Sequence, residues 1–242
     1  MPVTLGQTMP GPSSRFRAVR KLVAGIVPGD AAESAHQRDA LTWLDSTHDI
    51  YRRAKPATPP QHLVSYTVLM DPAAGSVFLV DHRLSGLCLP PGGHVEPDED
   101  PARTARREAR EELGVEADFS LAGERPVFIT VTRTVASAAD AGHTDVSLWY
   151  VLAGHRELPV TLDPREFSGG RWWSAEEVEA AQAAAARPGA VRVEAAWAEA
   201  GGAEPGGAEA GGAEAGGPDR FDPHMSRFLA KVRLLGLTGS TG

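Results

Sequence analysis

The chain has 242 residues, 42% of them hydrophobic, and a formal net charge of −8 at pH 7. These values are typical of a globular protein with one main core, and the acidic balance argues against nucleic acid as the principal partner. The single cysteine, Cys88, excludes an internal disulfide. No apolar run approaches the length of a membrane span, and the run at 22–27 is too short for an export signal. We therefore expect a cytoplasmic protein.

The first 60 residues predict helices in front of the main domain. Two helix patterns cover 15–27 and 30–53, and Asp30 with Glu33 has the spacing of a capping box at the start of the second. The composition predicts three parts: a flexible tail over 1–14, a helical extension and linker over 15–60 of unassigned function, and the main domain over 61–238.

Beyond residue 61 the hydrophobic period changes to that of strands. Runs rich in Val, Leu and aromatic residues alternate with turn residues, which indicates several short strands. The runs are HLVSYTVLM (62–70), SVFLVDH (76–82), RPVFITVTRTV (125–135) and TDVSLWYVL (144–152), with PVTL (159–162) and GRWW (170–173) as shorter candidates. Strands placed before, between and after helices predict an α/β fold with a mixed sheet and helices on both faces.

The C-terminal part combines two helix patterns with a low-complexity tract. Ser174 and Glu177 have capping-box spacing and open the first helix. Repeats of Gly, Ala and Glu at about 198–218 contain too little apolar surface to bury, and they predict a disordered insert. Asp222 and Pro223 then open an amphipathic helix that we expect to pack on the domain. Its apolar face comprises Met225, Phe228, Leu229, Val232 and Leu235.

The stretch at 93–115 contains a short helix crowded with carboxylates. Asp100 and Pro101 predict its start, and Gly114 predicts its end in a left-handed conformation. Each residue advances a helix by about 100°, so residues three or four positions apart return to nearly the same side. Three glutamates within this helix therefore fall in an arc of about 100°. The glutamates are Glu108, Glu111 and Glu112. Such a cluster is either a solvated face with arginine counter-ions or a site for a hard divalent cation.

The spacing of this stretch resembles the signature of the Nudix hydrolase family. The matching residues are Gly93, then after five residues Glu99, after seven more Arg107-Glu108-Ala109, and after single residues Glu111-Glu112 and Gly114-Val115. Two positions depart from the pattern: Ala109 is smaller than the usual aliphatic residue, and Leu87 stands where an aromatic residue is common. The resemblance covers about residues 61–186 and implies an α/β/α sandwich with the signature as a loop, helix and loop beside the sheet.

The resemblance also implies a metal-dependent hydrolase. Magnesium or manganese would be held by Glu108, Glu111, Glu112 and a carbonyl in the turn at Gly93, and metal-activated water would attack phosphorus in a nucleoside diphosphate linked to another group. Arg107 would orient the carboxylates, with Glu99 as its partner. We therefore assign Glu108, Glu111 and Arg107 as catalytic.

Several assignments outside the signature stay open. The general base is a signature glutamate, with Glu108 favoured, or a carboxylate from a distant loop, with Asp145 as the candidate. His94 and His143 are candidate donors to phosphate, although a single histidine is more often structural. Substrate-binding candidates are Trp149, Phe128 and Asp145, although aromatic side chains more often belong to the core.

The alternatives are a Nudix-like module that senses a nucleotide without cleaving it, and an RNA cap pyrophosphohydrolase. The intact set of signature carboxylates argues against the first, and the acidic charge argues against the second. The sequence does not distinguish among damaged nucleoside triphosphates, nucleotide sugars, ADP-ribose and dinucleoside polyphosphates. A homodimer is compatible with it.

Overall fold

The computed structural model describes residues 14–54, 58–134, 142–185 and 221–238. The helices are α1 (Ser14–Gly25), α2 (Ala31–Ser46), α3 (Pro101–Leu113), α4 (Ala175–Ala185) and α5 (Met225–Leu234). The strands are β1 (Gln61–Asp71), β2 (Ser76–His82), β3 (Cys88–Leu89), β4 (Gly92–His94), β5 (Phe128–Arg133), β6 (Thr144–Ala153) and β7 (Phe167–Ser174). Residues 1–13 of the predicted tail and the predicted insert at 198–218 lie outside the described residues.

The strands form one mixed sheet in the order β3-β2-β1-β6-β5, with β4 added beside β1 and β7 beside β2. β1 and β6 are parallel, from the pair Gln61 and Thr144 to the pair Met70 and Ala153. The other pairings are antiparallel. The long parallel pair is buried on both faces, as expected for strands that helices cover from two sides.

Helices cover the sheet on both faces and create two hydrophobic cores. One core contains apolar side chains of α1, α2 and α3, and the other contains those of α4 and α5. The predicted α/β/α sandwich with a mixed sheet and N-terminal helices is thereby confirmed. The N-terminal helices share the first core, since Phe16 and Val19 of α1 are buried in the same cluster as Leu63 of β1.

Three local predictions were wrong. The second helix ends at Ser46, where the backbone of Thr47 is extended, and not near residue 53. Residues 159–162 form no strand. Leu235 follows the last residue of α5 and is about half exposed, whereas the other four apolar residues predicted for that face are buried. At the two helix ends a local apolar pattern extended past the last residue of the helix, and at 159–162 an apolar run packs on the core without pairing as a strand.

A buried ion pair joins the N-terminal helices to the C-terminal one. Lys231 Nζ of α5 donates to Glu33 Oε1 of α2 at 2.5 Å, and the two side chains are 5% and 0% exposed. Glu33 also accepts from the backbone N–H of Gly29 at 2.7 Å, while its own N–H donates to Asp30 Oδ1 at 2.7 Å. The capping-box residues predicted from sequence therefore also connect elements almost 200 residues apart.

Within the part of the chain that the structure describes, no helix combines the length and apolarity required to cross a bilayer.

Candidate active site

Helix α3 is held against β1 by polar contacts as well as by packing. Ser65 Oγ donates to the carbonyl of Pro101 at 2.9 Å, and Thr67 Oγ1 donates to the carbonyl of Ala105 at 3.0 Å. The small residues of the helix make this close approach possible. The buried stripe comprises Ala102, Ala105, Ala109 and Leu113. The position of α3 relative to the sheet is therefore well defined.

Both ends of α3 are capped as the sequence predicts. Asp100 accepts from the backbone N–H of Ala102 at 2.9 Å, and Pro101 occupies the first turn. Gly114 adopts φ 67°, a left-handed conformation that strains other L-residues. These caps therefore set the two ends of the helix.

The glycine turn of β4 lies directly against two carboxylates of α3. The N–H of Gly92 donates to Glu112 Oε2 at 2.9 Å. A Cβ added to Gly93 would lie 2.0 Å from Glu108 Oε1, far inside van der Waals contact. Only glycine allows the backbone at position 93 to approach the glutamate this closely.

Gly93→Ala is expected to lower kcat/KM by about 10²-fold. The added methyl group must displace Glu108 or the turn by roughly 1 Å, and misplacement of that size has this cost. Steady-state kinetics with a hydrolysable nucleotide measures the loss. Gly25→Ala, at a glycine with open space around it, is the control and should retain wild-type kinetics. Equal kinetics in the two variants would contradict the close approach.

Glu108 and Glu112 are buried carboxylates, and of the two only Glu108 forms an ion pair with Arg107. Their exposed fractions are 6% and 5%. Burial raises the pKa of Glu108 to about 7 against the lowering effect of Arg107. Burial, followed by the neighbouring Glu108 and Glu166, raises the pKa of Glu112 to about 9. Ionisation of both carboxyl groups at once is therefore electrostatically unfavourable unless a cation binds between them.

We expect the free energy of unfolding to fall between pH 7 and 9 in buffer free of divalent cations. Carboxyl groups with raised pKa values bind more protons in the folded than in the unfolded state in this range, so stability decreases as pH rises. A single carboxyl that is protonated in the folded state and ionised in the unfolded state contributes a slope of about 1.4 kcal/mol per pH unit. Urea unfolding at several pH values measures it.

The control for this pH dependence is the double variant Glu108→Gln/Glu112→Gln, which removes both titrating groups and should flatten the slope. Added magnesium should flatten it in the wild type, because a bound cation favours the ionised carboxylates. If the wild type and the double variant had equal slopes, the pH dependence of stability would not arise from Glu108 and Glu112.

Arg107 lies at the centre of the acidic cluster. Its Nη1 donates to Glu108 Oε1 at 2.6 Å and to Glu111 Oε2 at 3.3 Å. Its Nη2 donates to Glu99 Oε2 at 3.3 Å and to the carbonyl of His94 at 3.2 Å. One guanidinium thus joins the helix, the acidic loop and the end of β4, and it holds Glu108 in one orientation.

The remaining carboxylates differ in position. Glu111 is 59% exposed. Among the ion pairs of the described residues, its only contact with the cluster is the one with Arg107. Glu166, in the segment before β7, lies close enough to the carboxyl of Glu112 to raise its pKa. Sequence analysis missed Glu166, because an acidic residue in a loop about 50 positions from the helix has no local pattern.

The structure does not bring the predicted substrate-binding residues to this cluster. Trp149 and Phe128 are fully buried, in edge-to-face contact with each other, and Trp149 Nε1 donates to Thr130 Oγ1 at 3.1 Å. Neither presents a ring to a substrate, which corrects the expectation and follows from the large free energy that aromatic side chains gain on burial. Asp145 lies among histidines, near His94 and His143.

The donor set fits a hard divalent cation. Glu108 and Glu112 offer oxygen atoms one helical turn apart, and the missing side chain at Gly93 leaves its backbone accessible beside Glu108. The raised pKa values of both carboxyls show that the positive charge of Arg107 is insufficient for the pair. Glu111 and Glu166 lie at the edge of the same cluster and can supply further oxygens.

A carboxylate helix beside a glycine turn, on one face of an α/β/α sandwich, defines a class of site used for phosphate chemistry with divalent metals. Comparison with known proteins identifies the family: the NUDIX domain model matches residues 41–193, more than half of the chain. The chain belongs to the Nudix family. It is a hydrolase that acts on phosphoanhydride bonds.

Solved structures similar to this chain include three bacterial proteins of related description. A NUDIX-family hydrolase from Clostridium perfringens is 20% identical, with 49% of this chain and 85% of that chain covered and a TM-score of 0.36. A MutT NUDIX hydrolase from Burkholderia pseudomallei is 19% identical, covering 47% and 83%, with a TM-score of 0.37. The dihydroneopterin triphosphate pyrophosphohydrolase of E. coli is 19% identical, covering 55% and 86%, with a TM-score of 0.38.

Proposed function

We propose that this protein hydrolyses, with magnesium or manganese, a phosphoanhydride bond in a nucleoside diphosphate linked to another group. The observation that supports this most directly is the pair of buried carboxylates, Glu108 and Glu112, with raised pKa values against a glycine turn. Such a pair is costly to the fold unless it binds a cation. Family membership supplies the class of reaction.

The ligands in this proposal are Glu108, Glu112 and the carbonyl of Gly93, with Glu111 as a further ligand or as a residue that holds water. A divalent cation bound there would neutralise phosphate oxygens and make water more acidic. Arg107 keeps Glu108 oriented through its 2.6 Å contact. In the reaction an oxygen from water bonds to phosphorus as the bridging P–O bond breaks, and two phosphate-bearing products leave.

We assign proton removal from the attacking water to Glu108, a buried carboxylate that lies directly against the turn at Gly93. The distant-loop alternative is Glu166 and not Asp145, because Glu166 acts electrostatically on Glu112 whereas Asp145 contacts His62, His94 and His143. Comparison of the pH–rate profiles of Glu108→Gln and Glu166→Gln distinguishes the two. The variant that lacks the base loses the acidic limb of the profile.

A panel of substrates with magnesium and with manganese tests the function. It contains damaged nucleoside triphosphates, nucleotide sugars, ADP-ribose, dinucleoside polyphosphates and capped RNA, and products are separated by anion exchange. We expect turnover of at least one compound with two phosphate-bearing products, and incorporation of oxygen-18 from water into one of them. Binding of a nucleotide without turnover would favour the sensing module instead, and turnover only of capped RNA would favour the decapping alternative.

A further inference from the structure

Three histidines and an aspartate that the hydrolysis does not use converge at one end of the sheet. His62 of β1 is the direct register partner of Asp145 of β6, and Val64 of β1 is the partner of His94 of β4. Because side chains alternate along strands, residues 62 and 64 and their partners all project to one face. His143 precedes Asp145 by two residues, and its side chain lies beside that of Asp145 in the same group.

The ligand atoms of this His-Asp cluster are spaced as in a tetrahedral metal site. Asp145 Oδ1 lies 3.3 Å from His62 Nε2, 3.4 Å from His143 Nε2 and 3.9 Å from His94 Nε2. One ligand atom from each residue lies within 4.8 Å of all the others. Ligands about 2.0–2.1 Å from a tetrahedral zinc ion are roughly 3.4 Å apart. Asp145 Oδ1 already lies at this distance from His62 and His143, and the more distant pairs must contract to reach it.

The hydrogen bonding of His62 leaves a nitrogen lone pair directed into the cluster. The side chain is completely buried, and its Nδ1 lies 2.9 Å from the carbonyl oxygen of Pro59. That oxygen is an acceptor, so Nδ1 carries a proton, and in the neutral ring Nε2 then has a free lone pair. A histidine that donates one N–H to a carbonyl while its other nitrogen is directed at a shared centre has the usual arrangement of a metal ligand.

Burial of these atoms together is unfavourable without a cation. Among the described residues, His62 Nε2, His94 Nε2 and Asp145 Oδ1 are buried and have no hydrogen-bond partner. The lone pair of a neutral histidine nitrogen repels a carboxylate oxygen 3.3 Å away. Buried hydrogen-bond acceptors that lack both water and a partner also lower the stability of the fold. Arg52 acts on Asp145 electrostatically, but no ion pair within 4.0 Å joins these two described residues. A metal ion would satisfy all three atoms at once.

We propose that His62, His94, His143 and Asp145 bind a zinc ion at a structural site separate from the carboxylates of α3. Three imidazoles and one carboxylate are donors that suit zinc, whereas magnesium prefers an all-oxygen set. Four protein ligands leave no open position, which is typical of structural zinc. The ion would join β1, β4 and β6 beside Gly93, and the carbonyl of His94 accepts from Arg107. It would thus hold the signature loop in place on the sheet.

Metal analysis of the full-length protein tests the proposal. After dialysis, we expect about one zinc per chain by mass spectrometry of metals, and intense visible bands of tetrahedral cobalt when cobalt replaces zinc. Removal of zinc by a chelator should lower the melting temperature by several degrees, and zinc but not magnesium should restore it. Protein without bound zinc that also gives no cobalt bands would overturn the assignment.

Matched variants locate the ion. His143→Gln and Asp145→Asn, at partly exposed side chains, should lose zinc and the cobalt bands, while His155→Gln, at an exposed histidine, should keep both. Glu112→Gln should also keep zinc, because its carboxylate belongs to the other cluster. Zinc retained in His143→Gln and Asp145→Asn would refute the site and leaves the proposed hydrolysis untouched, whereas zinc lost in Glu112→Gln would refute the site and place the ion at the carboxylates of α3.

Discussion

Glu112→Gln is expected to lower kcat by about 10²–10³-fold, the size of effect typical when one group that stabilises developing charge is removed. Glutamine preserves the shape of the side chain but cannot supply the negative charge that binds a cation. The same variant should be more stable than the wild type at pH 8 in buffer free of divalent cations, because burial disfavours the ionised carboxylate there. Loss of activity with a gain in stability is the signature of a group retained for function.

Steady-state kinetics at saturating magnesium and urea unfolding measure the two effects. Glu116→Gln is the matched control, since Glu116 is exposed and pairs with Arg110 on the outer side. We expect it to change neither quantity by much. The changes in kcat and in stability caused by Glu111→Gln should lie between those of Glu112→Gln and Glu116→Gln, because Glu111 is mostly exposed. Full kcat in Glu112→Gln at saturating magnesium would contradict the proposed metal site.

Lys231→Met is expected to lower the free energy of unfolding by about 3–5 kcal/mol, since it leaves the fully buried Glu33 without its cation. Methionine has a similar length and preserves most of the packing, so the loss reports the charge. Urea unfolding monitored by circular dichroism measures the change. Because the pair joins α2 to α5, we expect the two helices to be destabilised together.

Two variants control this measurement. Arg233→Met removes a cation from the same helix, but its pairs with Glu176 and Glu179 are exposed, so the cost should stay below about 1 kcal/mol. The double variant Glu33→Gln/Lys231→Met should recover part of the lost stability, because no unpaired charge remains. Similar unfolding midpoints for Lys231→Met and Arg233→Met would show that burial does not strengthen the first pair.

Several features of the fold were predictable because their cause is local. The caps of α3 at Asp100 and Gly114 depend on backbone groups one turn away, and the structure contains both. Alternating apolar runs predicted the long strands β1, β2 and β6, since the pattern reflects burial on the sheet. The spacing of Glu108 and Glu112 also predicted that they share one face of the helix.

Other features depended on which distant segments meet. Aromatic side chains generally favour the core, but what covers Trp149 and Phe128 could not be predicted, because α5, which contributes Phe228 to their cluster, lies far along the chain. His62 has no motif around it, and only its register opposite Asp145 brings it to the His-Asp cluster. Glu166 likewise reaches Glu112 only through the path of the loop before β7.

The sequence by itself determined the helix that bears the carboxylates, the strand pattern and the family resemblance, because each depends on spacing within a short stretch of chain. Only the tertiary structure decided which carboxylates are buried, which aromatic residues are core, and that residues 62, 94, 143 and 145 meet. The physical reason is that burial and convergence arise from the pairing of strands and helices far apart in the chain, which no local period encodes.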